Sequence, residues 1–289
     1  MSVRVLAPGL FATVQDLGRE GRAALGIARS GALDRGALRL ANRLVGNAEG
    51  AAAIEVAVGG FGAVADSDLW VAVAGAGGEV RLGGRVVDSH AAVRWPAGEE
   101  LWVDSFVTGV RAYVAVRGGI DAPVVAGSRS TDTLAGLGGA PLRAGDVLAV
   151  GPEPTDAVPS IDVVPWRAHA AGPIEVRLAP GPRADWFAAS ALALLFEGTW
   201  TVGGAADRVG LRLDGPALER VREGELPSEG MVAGALQVPP SGRPTILLAD
   251  GPVTGGYPVI AVVTDASLDA LGQARPGDGL RFSHARLIE

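Results

Sequence analysis

Cysteine and lysine are both absent from the 289-residue sequence, and each absence excludes a group of reactions. Without a thiol, the chain has no cysteine nucleophile, disulfide, zinc–thiolate site or iron–sulfur cluster. Without an amine side chain, it cannot form a Schiff base, carry biotin covalently or complete a Walker-A phosphate loop. All 25 basic residues are arginines. Any positive side chain used in binding is therefore a guanidinium group.

Histidine is scarce, and long apolar runs are missing. His90, His169 and His284 are too far apart to form the usual paired imidazole metal site, so we expect no metal. The net charge of −7 argues against a nucleic-acid partner. No apolar run reaches the ~18 residues of a membrane span. A strand-like segment, not a signal peptide, follows Ser2. We expect a cytoplasmic protein with no membrane contact.

Short apolar segments closed by glycine or proline predict a mainly β protein. The chain has 43 glycines and 19 prolines but only 5% aromatic residues. Valine-rich runs of about five residues that end at glycine or proline are typical of antiparallel strands joined by tight turns. The segments that fit best are 69–74, 79–82, 101–103, 112–116 and 244–248.

Helical patterns are few. Residues 32–45 carry apolar side chains at helical spacing, and Gly46-Asn47 is a suitable helix end. Residues 184–196 form a second candidate, and 268–271 form a weaker third. The sequence therefore predicts a β protein with a few short helices.

A faint internal repeat predicts two related domains. Five short motifs recur in the same order, at an offset that shrinks along the chain, as expected for two copies with insertions in the first. We place the domains at 1–155 and 172–289, joined by the proline-bearing polar segment 151–172. The paired motifs are Ala7-Pro8-Gly9 with Ala179-Pro180-Gly181, Asp34-Arg35 with Asp207-Arg208, Pro96-Ala97-Gly98 with Pro240-Ser241-Gly242, Val107-Thr108-Gly109 with Val253-Thr254-Gly255, and Gly145-Asp146 with Gly277-Asp278.

Polar residues in glycine-containing loops form a first candidate site in the N-terminal half. Hydrogen-bonding groups with little steric cover suit a polar, planar ligand. A structural role is the alternative for each of them: a helix cap, a buried turn or a local ion pair. The candidate residues are Gln15, Asp16, Arg19, Ser30, Asp34 and Asn42.

A second group of polar residues beside glycines lies in the C-terminal half. Its Thr254-Gly255-Gly256 segment is a weak phosphate-loop signal, because neither a lysine nor a predicted helix follows it. Tyr257 could equally be a core residue with a satisfied hydroxyl. The candidate residues are Arg208, Glu229, Gln237, Asp250, Thr254, Gly255, Gly256, Tyr257 and Gln273.

Taken together, these strings resemble the allophanate hydrolase subunit 2 family, also called biotin-dependent carboxyltransferases. The resemblance lies in Gln15 to Glu55, in the segment Gly127-Ser128-Arg129-Ser130-Thr131-Asp132, and in the run from Arg208 to Phe282. It covers nearly the whole chain and implies a cyclophilin-like β-barrel in each half.

The resemblance implies an enzyme subunit, and an ATP-dependent 5-oxoprolinase fits best. Such a complex opens the lactam 5-oxo-L-proline to L-glutamate. The chain would need a B-type partner (allophanate hydrolase subunit 1, Kip-inhibitor-like) and an A-type lactam-hydrolase component, with ATP at a shared interface or on a partner. Arginine can stabilise developing charge and a carboxylate can act as a base. The catalytic candidates are Asp16, Arg19, Arg208 and Glu229, with the other polar residues binding substrate.

Two further functions stay open within the same resemblance. One is a carboxyltransferase component for urea-like or carboxybiotin substrates, with biotin carried on another protein because this chain has no lysine. The other is a Kip-type regulator that binds a kinase inhibitor and is not an enzyme.

Overall fold

The chain is mainly β, as its sequence predicts. The computed structural model describes residues 1–160, 172–222, 224 and 226–285. Within these residues, three α-helices accompany twenty strands, and seven of the strands form a closed barrel. No described helix is long and apolar enough to cross a membrane.

Two compact units divide the chain, and each contains residues from separate stretches of sequence. Of the described residues, the first unit takes Met1–Arg19, Ser30–Asp132 and 136–160. The second takes Glu20–Arg29, Thr133–Ala135 and the residues from 172 onward. A single boundary between 155 and 172 does not anticipate the two short N-terminal stretches of the second unit. Residues 161–171 of the predicted linker lie outside the described residues.

The first unit contains two antiparallel sheets. The six-stranded sheet has the order β11 (Val147–Ala149), β1 (Ser2–Pro8), β4 (Phe61–Ala65), β9 (Glu100–Val103), β6 (Val80–Leu82) and β7 (Arg85–Val87). The five-stranded sheet has the order β2 (Phe11–Gln15), β3 (Ala53–Ala57), β10 (Thr108–Val116), β5 (Leu69–Gly77) and β8 (Val93–Trp95).

Alternating side chains of both sheets make the core of the first unit. Val3 and Val5 of β1 meet Ile54 and Val56 of β3 in one buried cluster. Because strand side chains alternate between faces, the other face of the five-stranded sheet needs separate cover. Helix α1 (Arg35–Leu44) supplies that cover.

Helix α1 confirms the helix predicted over 32–45. Ala37, Leu38, Ala41 and Leu44 are fully buried against small residues of β5 and β10. Burial of each leucine contributes about 1.5–3 kcal/mol of transfer free energy. The Asp34 carboxylate accepts a hydrogen bond of 2.8 Å from Ala37 N and so caps the helix.

The second unit contains the closed seven-stranded barrel. Its strand order is β12 (Ile174–Pro180), β19 (Val259–Val263), β16 (Ala235–Gln237), β17 (Thr245–Leu247), β14 (Gly210–Asp214), β13 (Trp200–Ala206) and β20 (Gly279–His284). Strand β20 pairs with β12 in parallel, and this pair closes the barrel. A separate two-stranded ribbon joins β15 (Glu229–Gly230) to β18 (Thr254–Gly255).

The helices predicted in the C-terminal half occur near the expected places. The segment 184–196 is divided into a short 3₁₀ turn, Ala184–Trp186, and helix α2, Ala189–Glu197. The weak signal at 268–271 marks the end of helix α3, Asp265–Leu271.

Two of the five repeated motifs occupy matching places in the two units. The clearest pair is the turn that precedes β11 and β20. Gly145 has φ +93° and Gly277 has φ +92°. The carboxylates of Asp146 and Asp278 each accept a 2.8 Å hydrogen bond from the backbone nitrogen of the arginine three residues earlier. Strands β1 and β12 end in the same Ala-Pro motif.

The match between Asp34-Arg35 and Asp207-Arg208 is wrong. Asp34 caps helix α1, whereas Asp207 lies in the turn between β13 and β14. Aspartate suits both positions because its short side chain accepts hydrogen bonds from nearby backbone N–H groups. The matching Asp-Arg pairs therefore reflect the same local hydrogen bonding and not the same secondary-structure element.

Candidate functional site

Asp16 organises a loop cluster in the first unit. Its Oδ1 accepts hydrogen bonds from Ser128 Oγ at 2.6 Å, Ser130 Oγ at 2.5 Å and Gly18 N at 2.8 Å. Its Oδ2 accepts a 2.7 Å bond from Arg129 N. One carboxylate thereby holds the segment after β2 against the Ser-Arg-Ser loop.

The same contacts set the charge state of Asp16. Burial acts to raise the pKa of its carboxyl, but the two serine hydroxyls and the two backbone N–H groups stabilise the anion. The net result is a pKa below the ordinary value for aspartate. Asp16 is therefore ionised at neutral pH, and its oxygens are already occupied by four donors.

Gln15 and Arg19 lie in this cluster and are almost completely buried. Gln15 Nε2 donates to Thr13 Oγ1 and to the Thr131 carbonyl, both at 2.9 Å. Arg19 Nε donates to the Val125 carbonyl at 3.0 Å, and its Nη2 donates to the Ser130 carbonyl. Ser30 Oγ also donates to the Thr131 carbonyl, at 3.1 Å. The structure thus brings together four of the six first-group candidates.

Three buried polar atoms of this cluster have no hydrogen-bond partner among the described residues. They are Gln15 Oε1, Arg19 Nη1 and Thr131 Oγ1. Buried polar atoms are normally paired, so the cluster keeps unused donors and an unused acceptor beside the Thr131 backbone.

Asp34 and Asn42 occupy positions with structural roles. Asp34 caps α1, and its backbone N–H donates to Tyr113 Oη, which in turn donates to Glu55 Oε2 at 2.7 Å. Burial and the nearby carboxylates raise the pKa of Tyr113 well above its ordinary value, so its hydroxyl keeps its proton. Asn42 Nδ2 donates to the Ala51 carbonyl at 2.8 Å. The Asp34 contacts fix the start of α1 onto β10 and, through Tyr113, onto β3, whereas Asn42 holds its end against the segment before β3.

Arg208 and Asp250 form a buried ion pair in the second unit. Arg208 Nε donates to Asp250 Oδ2 at 2.9 Å, and Nη2 donates to Oδ1 at 3.0 Å. Thr133 donates to the same Oδ2 from its backbone nitrogen and its hydroxyl. Both charged side chains are at most 3% exposed. The pair holds the stretch Thr133–Ala135 in the second unit, and the catalytic role of Arg208 stays a prediction.

A partly exposed group of polar side chains lies beside the ribbon of β15 and β18. We call Arg183, Arg220, Glu229, Gln237 and Tyr257 the second-unit polar surface. Arg183 pairs with Glu229 through two hydrogen bonds, one of them 3.0 Å from Nε to Oε2.

Strand pairing brings the remaining members of this surface together. Glu229 lies opposite Gly255 in the ribbon, and a Cβ added to Gly255 would lie 3.8 Å from Gln237 Oε1. Two residues further along the chain, Tyr257 is 46% exposed and interacts electrostatically with Arg220. The arrangement offers hydrogen-bond donors, a carboxylate and an aromatic ring to a small polar ligand.

The other C-terminal candidates are placed as follows. Thr254 is exposed within the ribbon and Gly256 directly after it, whereas Gln273 is buried next to the end of α3. Thr254-Gly255 leads into strand β19 and not into a helix, so this segment does not fit the phosphates of ATP. Within the described part of the chain, no group of three or more His, Asp or Glu side chains could hold a metal ion.

Sequence reasoning missed several members of these clusters. Neither Arg183 nor Arg220 belongs to a recognisable site motif, and only the folded chain places Arg183 beside Glu229 and Arg220 near Tyr257. Glu55 carried a usable signal, because it is the one charged residue within the apolar strand Ala53–Ala57. A charge in such a strand indicates a buried partner, here Arg111 at 3.6 Å and Tyr113.

Comparison with known protein families defines the class of protein. The model of the carboxyltransferase domain, subdomain A and B, matches residues 25–284. This is nearly the whole chain. The chain therefore belongs to the carboxyltransferase domain family, and the family prediction is confirmed.

Individual relatives give a finer comparison. The chain is 36% identical to the C component of 5-oxoprolinase from Escherichia coli K12, covering 99% of this chain and 92% of the relative. It is 37% identical to the same component from Haemophilus influenzae, covering 96% and 89%. The crystal structure of the Kluyveromyces lactis urea amidolyase is 30% identical with a TM-score of 0.90, over 99% of this chain and 19% of that chain.

Some relatives are much longer than this chain. The chain spans 56% of the solved chain TTHA0988, to which it is 41% identical with a TM-score of 0.87. It spans 16% of the urea amidolyase of Saccharomyces cerevisiae, at 32% identity. In these proteins, the region similar to this chain is one part of a larger polypeptide.

Proposed function

We propose that the chain acts as the C component of an ATP-dependent 5-oxoprolinase, which opens 5-oxo-L-proline to L-glutamate. The observation that carries this proposal is the similarity, along nearly their full length, to two proteins named as this component of 5-oxoprolinase. The urea amidolyases match only 16% of their own length, at lower identity.

The second-unit polar surface is the proposed substrate site on this chain. Opening a lactam places negative charge on the amide oxygen and requires attack by water. The Tyr257 hydroxyl and the Gln237 amide can donate to that oxygen. Arg183 donates one hydrogen bond to each oxygen of Glu229 and leaves a lone pair free on each. Through such a lone pair Glu229 can accept the proton of the attacking water and return it to the ring nitrogen as the lactam C–N bond breaks. The partial exposure of the surface gives a small substrate access.

We propose that the loop cluster of Asp16 supports the fold of the first unit, whether or not its residues also take part in catalysis. Because four donors already occupy its oxygens, Asp16 has little capacity to act as a base. The catalytic roles of Asp16 and Arg19 stay predictions, and the unpartnered Arg19 Nη1 is the atom through which Arg19 could act.

We propose that ATP binds at a shared interface of the assembled complex or on a partner chain. The Thr254-Gly255-Gly256 segment does not fit a phosphate-cradling loop, because Thr254 and Gly255 lie in the ribbon of β15 and β18. We propose a B-type partner and an A-type lactam-hydrolase component as the other members. The names of the two relatives, each one component of 5-oxoprolinase, support a complex of several chains.

Reconstitution tests the proposal. The chain is combined with its B-type and A-type partners, and L-glutamate formation and ATP hydrolysis are measured with and without 5-oxo-L-proline. We expect glutamate only when all components, ATP and the lactam are present. Omission of this chain is the control. A complete mixture that hydrolyses no 5-oxoproline would overturn the proposal.

A carboxyltransferase activity is the second candidate, because the family model carries that description and urea amidolyase shares the fold. The same preparation is therefore supplied with a carboxybiotin-loaded carrier and urea. Urea-dependent loss of carboxybiotin, with no glutamate formed from 5-oxoproline, would favour this candidate.

A further inference from the structure

The two arginines of the second-unit polar surface differ in how their charge is matched. Arg183 is bound to Glu229 through both Nε and Nη2. Arg220 instead donates its Nη2 to the Val238 carbonyl, a neutral group. Its Nε is buried and has no hydrogen-bond partner among the described residues. Burial lowers the pKa of Arg220, and nearby Tyr257 partly offsets this effect. An arginine remains a cation at neutral pH after such a shift.

The backbone holds Arg220 firmly in this place. Arg220 forms an antiparallel bridge with Phe187, and Val221 N donates to the Trp186 carbonyl at 2.8 Å. Trp186 and Phe187 are both buried, which anchors the bridge to the unit. A guanidinium on a fixed backbone loses less freedom when it binds a ligand.

We infer that Arg220 recognises a carboxylate group of the substrate on the second-unit polar surface. This inference rests on the proposed function, since 5-oxo-L-proline is a lactam that carries one carboxylate. The planar guanidinium uses one N–H of Nη2 on the Val238 carbonyl, and the remaining N–H groups of Nη1 and Nη2 match the two oxygens of a carboxylate. Tyr257 and Gln237 then face the amide half of the same small molecule.

Kinetics of the reconstituted complex test this role. Arg220→Gln is compared with wild type for hydrolysis of 5-oxo-L-proline and for inhibition by pyrrolidin-2-one, the same lactam without its carboxylate. We expect KM for 5-oxoproline to rise about 10- to 100-fold, because a hydrogen bond to a charged group is lost. The kcat should change much less, and inhibition by pyrrolidin-2-one should stay within about twofold of wild type.

Arg222→Gln is the matched control. Arg222 is an exposed arginine two residues away, paired with exposed Asp185, and its replacement should leave both constants unchanged. Arg220→Lys keeps the cation and a donor for Val238, so it should give a smaller rise in KM. This variant also serves if Arg220→Gln fails to fold, because a KM equal to wild type in Arg220→Lys would then contradict bidentate recognition.

The possible outcomes distinguish failure of the Arg220 role from failure of the proposed function on which it rests. An active wild-type complex with an unchanged KM in Arg220→Gln overturns the role of Arg220 and leaves the proposed function standing. An equal loss of affinity for 5-oxoproline and pyrrolidin-2-one also overturns it, because the carboxylate would not be the group recognised. A wild-type complex that is inactive on 5-oxoproline overturns the proposed function, and this substrate assignment with it.

Discussion

Asp250 is the buried anion on which one part of the second unit depends. It accepts hydrogen bonds from Arg208 and from both the backbone and the hydroxyl of Thr133. A buried ion pair adds little net stability by itself, but removal of one partner leaves the other charge buried and unpaired. Both partners are at most 3% exposed, so water cannot replace the missing group.

Asp250→Ala should therefore lower the free energy of unfolding by about 3–5 kcal/mol. Asp214→Ala is the control, because Asp214 pairs with Arg243 at the surface and should cost no more than about 1 kcal/mol. Thermal unfolding of the two purified variants measures the difference. Equal midpoints would contradict the structural role, and loss of activity at unchanged stability would instead support the catalytic role predicted for Arg208.

Asp16 predicts a pH dependence of stability. Its pKa is lower in the folded chain than in the unfolded chain, so its contribution is complete above the ordinary aspartate pKa and is lost as the pH falls through the folded value. Asp16→Asn should cost about 1–3 kcal/mol near neutral pH. The gap in melting temperature between variant and wild type should shrink below about pH 4.

Exposed Asp185 provides the comparison for Asp16. Asp185→Asn should shift the melting temperature little at any pH in the series. A constant gap for Asp16→Asn from pH 7 to pH 3 would show that its ionised carboxylate is not what stabilises the loop cluster.

At the scale of elements, the two turns before β11 and β20 are the best-preserved part of the repeat. Gly145 and Gly277 both have left-handed backbone angles, and both are open to solvent at the position of a Cβ. The cost of a side chain at either position is therefore backbone strain without a clash. Equal geometry predicts equal energetic cost.

Gly145→Ala and Gly277→Ala should each lower the stability of their own unit by about 1–2 kcal/mol. Gly204→Ala is the control, since Gly204 is a strand glycine with open space and no left-handed φ. It should be neutral or slightly stabilising. Chemical unfolding of the three variants measures this, and costs that differ by more than about 1 kcal/mol between the two turns would contradict their equivalence.

At the scale of the whole molecule, the proposed function requires partner chains. We expect this chain to co-elute with its B-type partner in sizing chromatography after co-expression, at a larger size than either protein alone. Mixed with an unrelated acidic protein, it should keep its own elution volume. Separate elution of the two proteins at micromolar concentration would contradict a stable complex. Lack of the A-type component should not prevent this association.

The mainly β fold, the first helix and five of the strands (β5, β6, β9, β10 and β17) follow from the sequence alone. Helix 32–45 was predictable because its apolar spacing and its glycine end agree, although the helix begins only at Arg35, after the Asp34 cap. The strand at 112–116 was predictable because continuous valine and alanine suit a strand buried on both faces. The turns at Gly145-Asp146 and Gly277-Asp278 are also determined by neighbouring residues, so the sequence alone shows that this turn motif occurs twice.

Tertiary structure decided which polar residues meet. Arg208 and Asp250 lie 42 positions apart, and Asp250 also bonds Thr133, 117 positions away, so no local pattern could pair them. Arg220 and Tyr257 likewise interact only in the folded chain, because they are 37 positions apart in sequence. Local patterns report the conformation of a segment, whereas a site depends on long-range pairing, and that pairing is determined by burial of the whole core.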